Sequence, residues 1–395
     1  MHYERINDTL TLYPAGQITS VNAASFEEEA LNIVQSNKAS SLSIDAKELE
    51  YISSAGLRVL LKLAKLSSEK VKMINASKEV YDIMDMTGFT RILDVKQALR
   101  SIDVTGCPII GAGGNGTVYR LDEDTIVKVY RTTYSKEVIE RERSFAKLAF
   151  VAGIPSVIAF DLVEVGDSYG IVFELVKGNT LAHAMKENPT QLKEYVAKHV
   201  ALAKKLHSTV IASETIVRLQ DIYRTRVDNL SAYCTKEEQD ALRDIVNAIP
   251  EVNTVIHNDL HPGNIMLQDG ECLLIDMPEL TRGPAICDLA AVYRNMIIGS
   301  KSRSATAIEQ SVGMPADLIY EAGKEFFRQY CDIKSEEELD AYFKKLGLFY
   351  AFNVVLLCGS SYDAMVQRAP GIMERLLRPV VLPNKETLCY LFRTM

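Results

Sequence analysis

Short apolar stretches and helical stripes alternate along the first hundred residues. Alternating or clustered apolar positions predict strands at residues 9–18, 41–44 and 71–74. Apolar side chains that recur every three or four positions predict helices between and after them, at residues 22–35, 57–64 and 80–84. Because strands that alternate with helices are typical of an α/β layer, we assign residues 1–100 to a small α/β domain.

Beyond residue 100 the pattern changes from strand-like to helical. Residues 101–178 hold strand-like runs around one helical stripe at residues 136–152. Residues 179–395 instead carry apolar positions at helical spacing over most of their length, and the predicted helices include residues 190–207, 285–298, 315–330, 335–357 and 362–377. This predicts an α+β arrangement in which a sheet-rich region is followed by a largely helical one.

A glycine-rich segment opens the sheet-rich region. Gly111, Gly113 and Gly116 have the spacing Gly-x-Gly-x-x-Gly, which alone is a weak signal because a dinucleotide-binding fingerprint needs a helix directly after the glycines. Here two strand-like runs joined by an acidic turn follow, at residues 117–130. Glycines in such a loop let the backbone pass over phosphate groups without side-chain clash.

Lys128 stands between two β-branched residues inside the second of these strands. An ammonium buried there without partners would be costly. A bound phosphate together with a carboxylate from the next helix would satisfy it, and that helix offers Glu140 and Glu142. The helical phase alone does not decide between these two residues.

Polar residues gather at the ends of two further strand-like runs. Asp259 and Asn264 lie in a loop after the first run, and Asp276 ends the second. Their oxygen-bearing side chains suit Mg²⁺ rather than zinc. A site that transfers phosphoryl groups needs little more than an aligned nucleophile, a held metal ion and neutralised phosphate charge.

The run from His257 to Asn264, followed by Asp276, resembles the catalytic loop and metal-binding aspartate of the protein-kinase-like superfamily. The residues of this motif are most similar to those of the aminoglycoside phosphotransferase and choline kinase branch. The resemblance implies a bilobal phosphotransferase fold that uses ATP and Mg²⁺. It also implies that Asp259 accepts the proton of the substrate hydroxyl, that Asn264 and Asp276 hold Mg²⁺, and that His257 braces the loop.

The same resemblance gives roles to residues of the sheet-rich region. Lys128 would bind the α- and β-phosphates of ATP and pair with Glu142, with Glu140 as the second choice. The segment that contains Glu174 and Val176 would cross between the two lobes and bind adenine through its backbone.

The resemblance also divides the second region into lobes. Residues 101–178 would form the N-lobe and residues 179–395 a largely helical C-lobe. Asp288 would tie its helix back to the catalytic loop, and we interpret His207 as a residue that packs at a helix end.

Two serines mark a strand-to-helix junction in the first domain. Ser54 could cap the helix or, if phosphorylated, present its phosphate where helix dipole and free amides favour an anion. The junction resembles the STAS domain of anti-sigma-factor antagonists, in which a partner kinase phosphorylates the serine of an Asp-Ser pair. Ser53 stands at the Asp position, so we favour a cap over a regulatory phosphosite and interpret the domain as an interaction module.

Composition excludes several classes of function. The 395-residue chain has a formal net charge of −8 and no Lys/Arg block, which predicts no nucleic-acid partner. Its seven cysteines are scattered, as expected for reduced thiols in the cytoplasm. The longest apolar run, residues 346–358, is too short for a bilayer and contains Asn353, and the amino terminus lacks a signal region.

The spacing after the metal-binding aspartate bears on the substrate. Only about a dozen residues separate Asp276 from Asp288, without the longer peptide platform of a protein kinase. We therefore predict ATP- and Mg²⁺-dependent phosphorylation of a small-molecule hydroxyl. The alternatives are a signalling protein that phosphorylates a protein serine, such as Ser54 or a partner's STAS domain, and a protein that only senses nucleotide.

Overall fold

The computed structural model describes residues 1–37, 39–302, 305–360 and 363–394. The chain divides into two compact units, Met1–Ile102 and Asp103–Met395. Each has its own hydrophobic core, built in the first unit around Leu10, Leu12 and Ile44. Within the described ranges, no helix combines the length and the apolar character that crossing a membrane requires.

The first unit is built on a mixed sheet with the strand order β1-β2-β4-β6-β7. β1 and β2 are antiparallel and the other neighbours are parallel, while β3 pairs separately with β5. The strands are β1 (His2–Ile6), β2 (Thr9–Tyr13), β3 (Gly16–Ile18), β4 (Ser41–Asp45), β5 (Leu49–Ile52), β6 (Lys72–Ala76), β7 (Asp94–Gln97) and the short β8 (Arg100–Ser101). The helices are α1 (Ala23–Asn37), α2 (Ser54–Leu66), α3 (Lys78–Met86) and α4 (Phe89–Ile92).

Two details of this unit differ from the sequence prediction. Residues 9–18 form two strands rather than one, because the chain breaks after Tyr13 at Pro14 and turns at Gly16, whose φ is +69°. The helix cap is Ser53 and not Ser54, since the Ser53 hydroxyl accepts from the Gly56 N–H at 3.4 Å. Ser54 is instead the first helical residue, and it is exposed.

The second unit begins with an antiparallel sheet in which β12, β13, β11, β10 and β9 are successive neighbours. Its strands are β9 (Ile109–Ala112), β10 (Gly116–Arg120), β11 (Thr125–Tyr130), β12 (Ala159–Val165) and β13 (Ser168–Glu174). One long helix, α5 (Lys136–Val151), contacts β12 and β13. The hairpin of β10 and β11 after the glycines is the arrangement predicted from the sequence.

The remainder of this unit is mainly helical. Short strands lie around the loops that carry the polar residues: β14 (Asn179–Thr180), β15 (Val255–Ile256), β16 (Ile265–Gln268), β17 (Glu271–Leu274) and β18 (Thr281–Arg282). The α-helices are α6 (Leu181–Glu187), α7 (Leu192–Ser208), α8 (Leu219–Asp228), α9 (Lys236–Asn247), α10 (Ala285–Val292), α11 (Ala305–Val312), α12 (Ala316–Cys331), α13 (Glu336–Leu357), α14 (Asp363–Val366), α15 (Ala369–Ile372) and α16 (Lys385–Thr394). Four 3₁₀ turns, Pro189–Gln191, Asn229–Ala232, Pro262–Asn264 and Leu382–Asn384, and two π-helices, Tyr293–Gly299 and Met373–Val381, complete the described structure.

Two predicted helices are interrupted. The helix predicted at residues 285–298 is α10 up to Val292 and then continues as the π-helix Tyr293–Gly299. The helix predicted at residues 362–377 starts at a residue outside the described ranges, and the described part holds α14, α15 and the second π-helix. Pro370, in the first turn of α15, accounts for the break after α14 because proline lacks the N–H that a continuous helix needs.

Candidate active site

Lys128 is held between two carboxylates. Its ammonium donates to Oε1 of Glu142 at 2.9 Å and to Oδ1 of Asp276 at 2.6 Å. The ammonium also lies 5.0 Å from the centre of the Tyr130 ring, within cation–π range. The pairing with Glu142 that was the first choice from the sequence is therefore present, while the catalytic roles of Lys128 and Glu142 stay predictions.

The neighbouring secondary structure explains why Glu142 is the partner. The buried face of α5 contains Ile139, Ala146 and Ala149, and Glu142 lies on the same face. Glu140 points elsewhere and forms an ion pair with Arg143 one turn later at 2.5 Å. The second choice, Glu140, is thus not the residue that contacts Lys128.

Burial and charge act in opposite directions on these groups. Burial favours the neutral amine, but the carboxylates of Glu142 and Asp276 outweigh it and raise the pKa of Lys128 above its usual value. Burial raises the pKa of Glu142, with Lys128 opposing the rise. The lysine is therefore a fixed positive charge at neutral pH.

The glycine-rich loop joins β9 to β10. A Cβ added at Gly116 would lie 2.0 Å from the carbonyl oxygen of Val129, so only glycine fits there. A Cβ at Gly111 would meet Val118 at an ordinary 3.6 Å, and one at Gly113 would meet no atom within 4 Å. The space beside Gly113 is what a backbone that covers a phosphate requires.

The predicted adenine-binding segment starts at the last residue of β13. Glu174 is the last residue of that strand, and its side chain accepts a hydrogen bond from the Ile158 N–H at 2.7 Å. The Val176 carbonyl accepts from Gly178 at 3.0 Å, whereas the Val176 N–H donates no hydrogen bond to any residue that the structure describes. One backbone donor of this segment is thus available, and adenine binding stays a prediction.

Asp259 is surrounded by hydrogen-bond donors. Oδ1 accepts from the Asn295 amide at 2.8 Å, and Oδ2 accepts from the Asn264 amide at 3.2 Å. His261 Nε2 lies 3.6 Å from Oδ2, and an Arg294 nitrogen lies 3.8 Å from Oδ1. These contacts fix the orientation of the Asp259 carboxylate.

The same surroundings keep Asp259 ionised. Burial alone would raise its pKa, but the interaction with His261 and the nearby positive charges outweigh burial and lower the pKa well below the ordinary value. An ionised carboxylate can accept a hydrogen bond and a proton from a hydroxyl group, and the role of Asp259 as the catalytic base stays a prediction.

Asp288 braces the loop that carries Asp259. Its Oδ2 accepts from the His257 N–H at 2.9 Å and its Oδ1 from the Asn258 N–H at 2.8 Å. His207 Nε2 lies 3.0 Å from Oδ2, and the other ring nitrogen of His207 lies 2.7 Å from the Tyr330 hydroxyl. Asp288 therefore ties its helix to the loop, as the resemblance implied. His207, which we expected only to pack at a helix end, lies in the last turn of α7 and contacts both Asp288 and Tyr330.

Asn264 and Asp276 lie just beyond the same end of a pair of antiparallel strands. β16 pairs with β17, and the Ile275 N–H donates to the Asn264 carbonyl at 3.0 Å. Asp276 adopts a left-handed backbone with φ +59°, which Asp tolerates better than most residues. No group of three or more His, Cys, Asp or Glu side chains able to hold a metal ion occurs in the described ranges. The pair fits Mg²⁺, which usually takes one or two protein oxygens together with phosphate oxygens and water.

A cavity of about 340 Å³ connects these groups. Asp259 and Asp276 line it together with Asn115 of the glycine-rich loop. The rest of its wall comes from helices α8, α10, α13 and α14, from Arg294 of the first π-helix, and from the segments that contain Asn258 and Pro278. The cavity therefore brings the predicted base, a predicted metal ligand and the predicted phosphate loop to one space.

Sequence reasoning missed three residues beside Asp259: His261, Arg294 and Asn295. His261 lies within the recognised stretch, but its spacing gave no sign that the ring turns back to Asp259. The Arg294-Asn295 pair is polar within an otherwise apolar run, and that interruption was the available signal. Their distance of more than 30 positions from Asp259 hid the contact.

Comparisons with known proteins agree with this architecture. The model of the phosphotransferase enzyme family APH matches residues 107–330, and the STAS domain model matches residues 1–102. No match was found among curated proteins.

Solved structures that are similar to parts of this chain include three of different kinds. The gentamicin complex of APH(2″)-IIa is 16% identical, covers 68% of this chain and 90% of its own, and gives a TM-score of 0.43. A choline/ethanolamine kinase family protein from Mesorhizobium loti is 14% identical, covers 73% of this chain and 92% of its own, and gives a TM-score of 0.42. A Thermotoga maritima protein assigned as an anti-sigma factor antagonist is 18% identical, covers 24% of this chain and 85% of its own, and gives a TM-score of 0.23. Because the family model matches more than half of the chain, the protein belongs to the phosphotransferase enzyme family and carries a STAS domain in front of its phosphotransferase domain.

Proposed function

We propose that this phosphotransferase moves the γ-phosphate of ATP to a hydroxyl group of a small molecule, with Mg²⁺ as the metal. The observation that carries the proposal is the shared cavity, which Asp259, Asp276 and Asn115 all line. Lys128 reaches the edge of the same site through its hydrogen bond to Asp276.

The residues of the site divide the work of binding. The glycine-rich loop covers the phosphates and Lys128 neutralises their charge, while Glu142 holds the lysine in place. Asn264 and Asp276 hold Mg²⁺, which, when bound, neutralises charge on the phosphate oxygens. The backbone around Glu174 and Val176 binds adenine.

Asp259 acts on the acceptor. Asn264 and Asn295 orient its carboxylate toward the cavity, where it accepts a hydrogen bond from the acceptor hydroxyl. The acceptor oxygen forms a bond to the γ-phosphorus as the bond from that phosphorus to the bridging oxygen of ADP breaks. The hydroxyl proton passes to Asp259, and ADP leaves with the electrons of the broken bond.

A compact acceptor fits the site better than a peptide. The chain from Asp276 to Asp288 is short, and residues of helices α8 and α13 line the cavity. A volume of about 340 Å³ suits a molecule of sugar or amino-acid size. The cysteines carry free thiols, which supports a cytoplasmic location as part of this proposal.

The test is a screen for ATP consumption. Sugars, hydroxylated metabolites and aminoglycosides are offered with ATP, with and without Mg²⁺, and ADP is measured. We expect ADP formation that depends on both an acceptor and Mg²⁺. The proposed reaction would be contradicted if no class of acceptor raised the rate of ADP formation above the rate without acceptor.

A second candidate is phosphorylation of a protein serine, with the STAS domain as an interaction module for a partner. Ser54 favours it because the residue is exposed at the first turn of α2. Incubation with γ-labelled ATP separates the two functions. Label bound to the protein and lost in Ser54→Ala supports the second candidate, and an unlabelled protein with a labelled small molecule supports the first. Nucleotide binding without either product would leave only nucleotide sensing.

A further inference from the structure

One face of α8 forms part of the cavity wall. Leu219, Ile222, Tyr223 and Arg226 line the cavity, and their spacing of three and four positions places them on the same side of the helix. Three of these residues are apolar or aromatic. The fourth brings a permanent positive charge to the C-terminal end of the face.

Arg226 differs from the neighbouring arginines in its partners. Arg224 pairs with Asp221 at 2.9 Å, and Arg218 pairs with Glu251 at 3.2 Å. The Arg226 guanidinium has no hydrogen bond or ion pair with any residue in the described ranges, and its carbon lies 5.9 Å from the centre of the Tyr223 ring. A half-buried guanidinium that lines a cavity and has no carboxylate partner in the described ranges can offer its fork of N–H donors to a ligand.

The backbone of Arg226 is firmly placed. A Cβ at Gly359 would lie 2.0 Å from the Arg226 carbonyl oxygen, so the chain after α13 packs directly on this turn. Asn229 adds a hydrogen bond from its amide to the Gly359 carbonyl at 2.9 Å. This packing limits the positions that the guanidinium can reach and favours pre-organised binding.

Other polar groups of the cavity complete the pattern of charge. The Asn353 amide donates to the Tyr223 hydroxyl at 2.8 Å, and Asn353 Oδ1 is buried without a partner in the described part of the chain. Arg294 adds a second guanidinium near Asp259. Among the lining carboxylates, Asp259 and Asp276 belong to the proposed reaction, and Glu279 already takes part in an interaction within the protein.

We propose that the acceptor carries an anionic group, a carboxylate or a phosphate, which Arg226 binds while the acceptor hydroxyl faces Asp259. This inference rests on the proposed function and specifies the substrate class of that site. A charge-assisted, two-pronged contact with a guanidinium suits both oxyanions. A polycationic acceptor would instead place its ammonium groups beside two guanidiniums, where like charges repel.

A matched series of sugars tests the charge preference by binding, independently of turnover. Glucose, glucuronate, glucose 6-phosphate and glucosamine are each titrated with the full-length protein in the presence of Mg²⁺ and a non-hydrolysable ATP analogue. We expect the carboxylate, the phosphate or both to bind at least about tenfold more tightly than glucose, with glucosamine weakest. The two anionic members show which oxyanion the site prefers.

Arg226 variants then locate the preference. In Arg226→Gln the anionic advantage should fall by about 10- to 100-fold, to near parity with glucose, and Arg226→Lys should restore part of it. Arg224→Gln, on the same helix but paired with Asp221, is the matched control and should keep the wild-type ranking. ADP release with each sugar reports the effect on KM and kcat separately, and we expect KM to change more.

Binding and turnover fail in different ways. Any of four binding results would overturn the inference. The charged and neutral sugars could bind equally, glucosamine could bind more tightly than the anions, or neither anion could bind at millimolar concentration. The fourth is a preference for the anionic sugars that persists in Arg226→Gln. Failure of the proposed function would instead appear as absent phosphotransfer to every acceptor, whatever the ranking of their affinities.

Discussion

The Lys128 ammonium donates a 2.6 Å hydrogen bond to Oδ1 of Asp276, a residue 148 positions further along the chain. This bond joins the antiparallel sheet, which carries Lys128, to the loop after β17, which carries Asp276. Glu142 binds the same ammonium from α5. A nucleotide that uses Lys128 for its phosphates and Asp276 for its metal ion must therefore meet both groups at this junction.

Replacing Lys128 by Met should remove nucleotide binding and also weaken the fold. The change leaves the buried Glu142 and the nearby Asp276 without their shared cation, and breaking a buried ion pair costs about 3–5 kcal/mol. Chemical denaturation measures this loss, and Glu142→Gln added to Lys128→Met should recover part of it.

Lys177→Met is the matched control for this prediction. Lys177 forms an exposed ion pair with Asp124, whose loss should cost less than about 1 kcal/mol. If Lys128→Met and Lys177→Met were equally stable and bound ATP equally well, the assigned role of Lys128 would be wrong.

Asp259→Asn should abolish turnover and spare nucleotide binding. The amide keeps the size of the carboxylate but cannot take the acceptor proton, so the rate should fall by about 10²- to 10⁴-fold. Asp269→Asn provides a control, because Asp269 is exposed and its positive φ of +51° suits Asn equally well. Rates for Asp259→Asn close to those for Asp269→Asn would show that Asp259 is not the base.

Asp288→Asn should destabilise the protein in a pH-dependent manner. Burial opposes ionisation of Asp288, but the hydrogen bond with His207 and the other contacts outweigh it and lower its pKa below the ordinary 3.8. A lowered pKa means that the carboxylate stabilises the fold fully above about pH 4, and that this stabilisation is lost as the pH falls through the folded-state pKa.

The free energy of unfolding of Asp288→Asn and wild type should therefore differ by about 3–5 kcal/mol at neutral pH and converge in acid. Asp340→Asn, at an exposed position, should match wild type throughout. If the difference in free energy of unfolding between Asp288→Asn and wild type stayed constant down to strongly acidic pH, an ionised Asp288 would not be what stabilises the loop.

Ser53→Ala and Ser54→Ala test the observed helix cap. Removal of the Ser53 hydroxyl should weaken the first turn of α2 by about 0.5 kcal/mol, near the low end for caps because the bond is 3.4 Å long. Hydrogen exchange of the first-turn amides in the whole chain should rise in Ser53→Ala and stay unchanged in Ser54→Ala. Faster exchange in Ser54→Ala than in Ser53→Ala would instead show that Ser54 is the cap.

The sequence predicted most elements of the fold because their apolar periods are strong. β1 was missed since all five residues His2–Ile6 are exposed and show no alternation of apolar and polar faces. The π-helix Tyr293–Gly299 was missed because the apolar pattern continues through it, although the backbone geometry changes.

For the site, the motif spacing gave Lys128 and Asp259 as candidates, but local patterns could not predict their tertiary contacts. The choice of Glu142 over Glu140 follows from the buried face of α5, where Ile139 and Ala149 flank Glu142. Asn295 reaches Asp259 and Arg226 reaches the cavity from distant helices, and only packing places them there.

Calorimetric titration with ATP, with and without Mg²⁺, tests most directly whether Lys128, Asp259, Asn264 and Asp276 serve one ATP–Mg²⁺ complex. We predict uptake that requires Mg²⁺ in the wild type, persists in Asp259→Asn, and disappears in Lys128→Met. Absence of Mg²⁺-dependent uptake by the wild type, or unchanged uptake by Lys128→Met, would contradict the shared site.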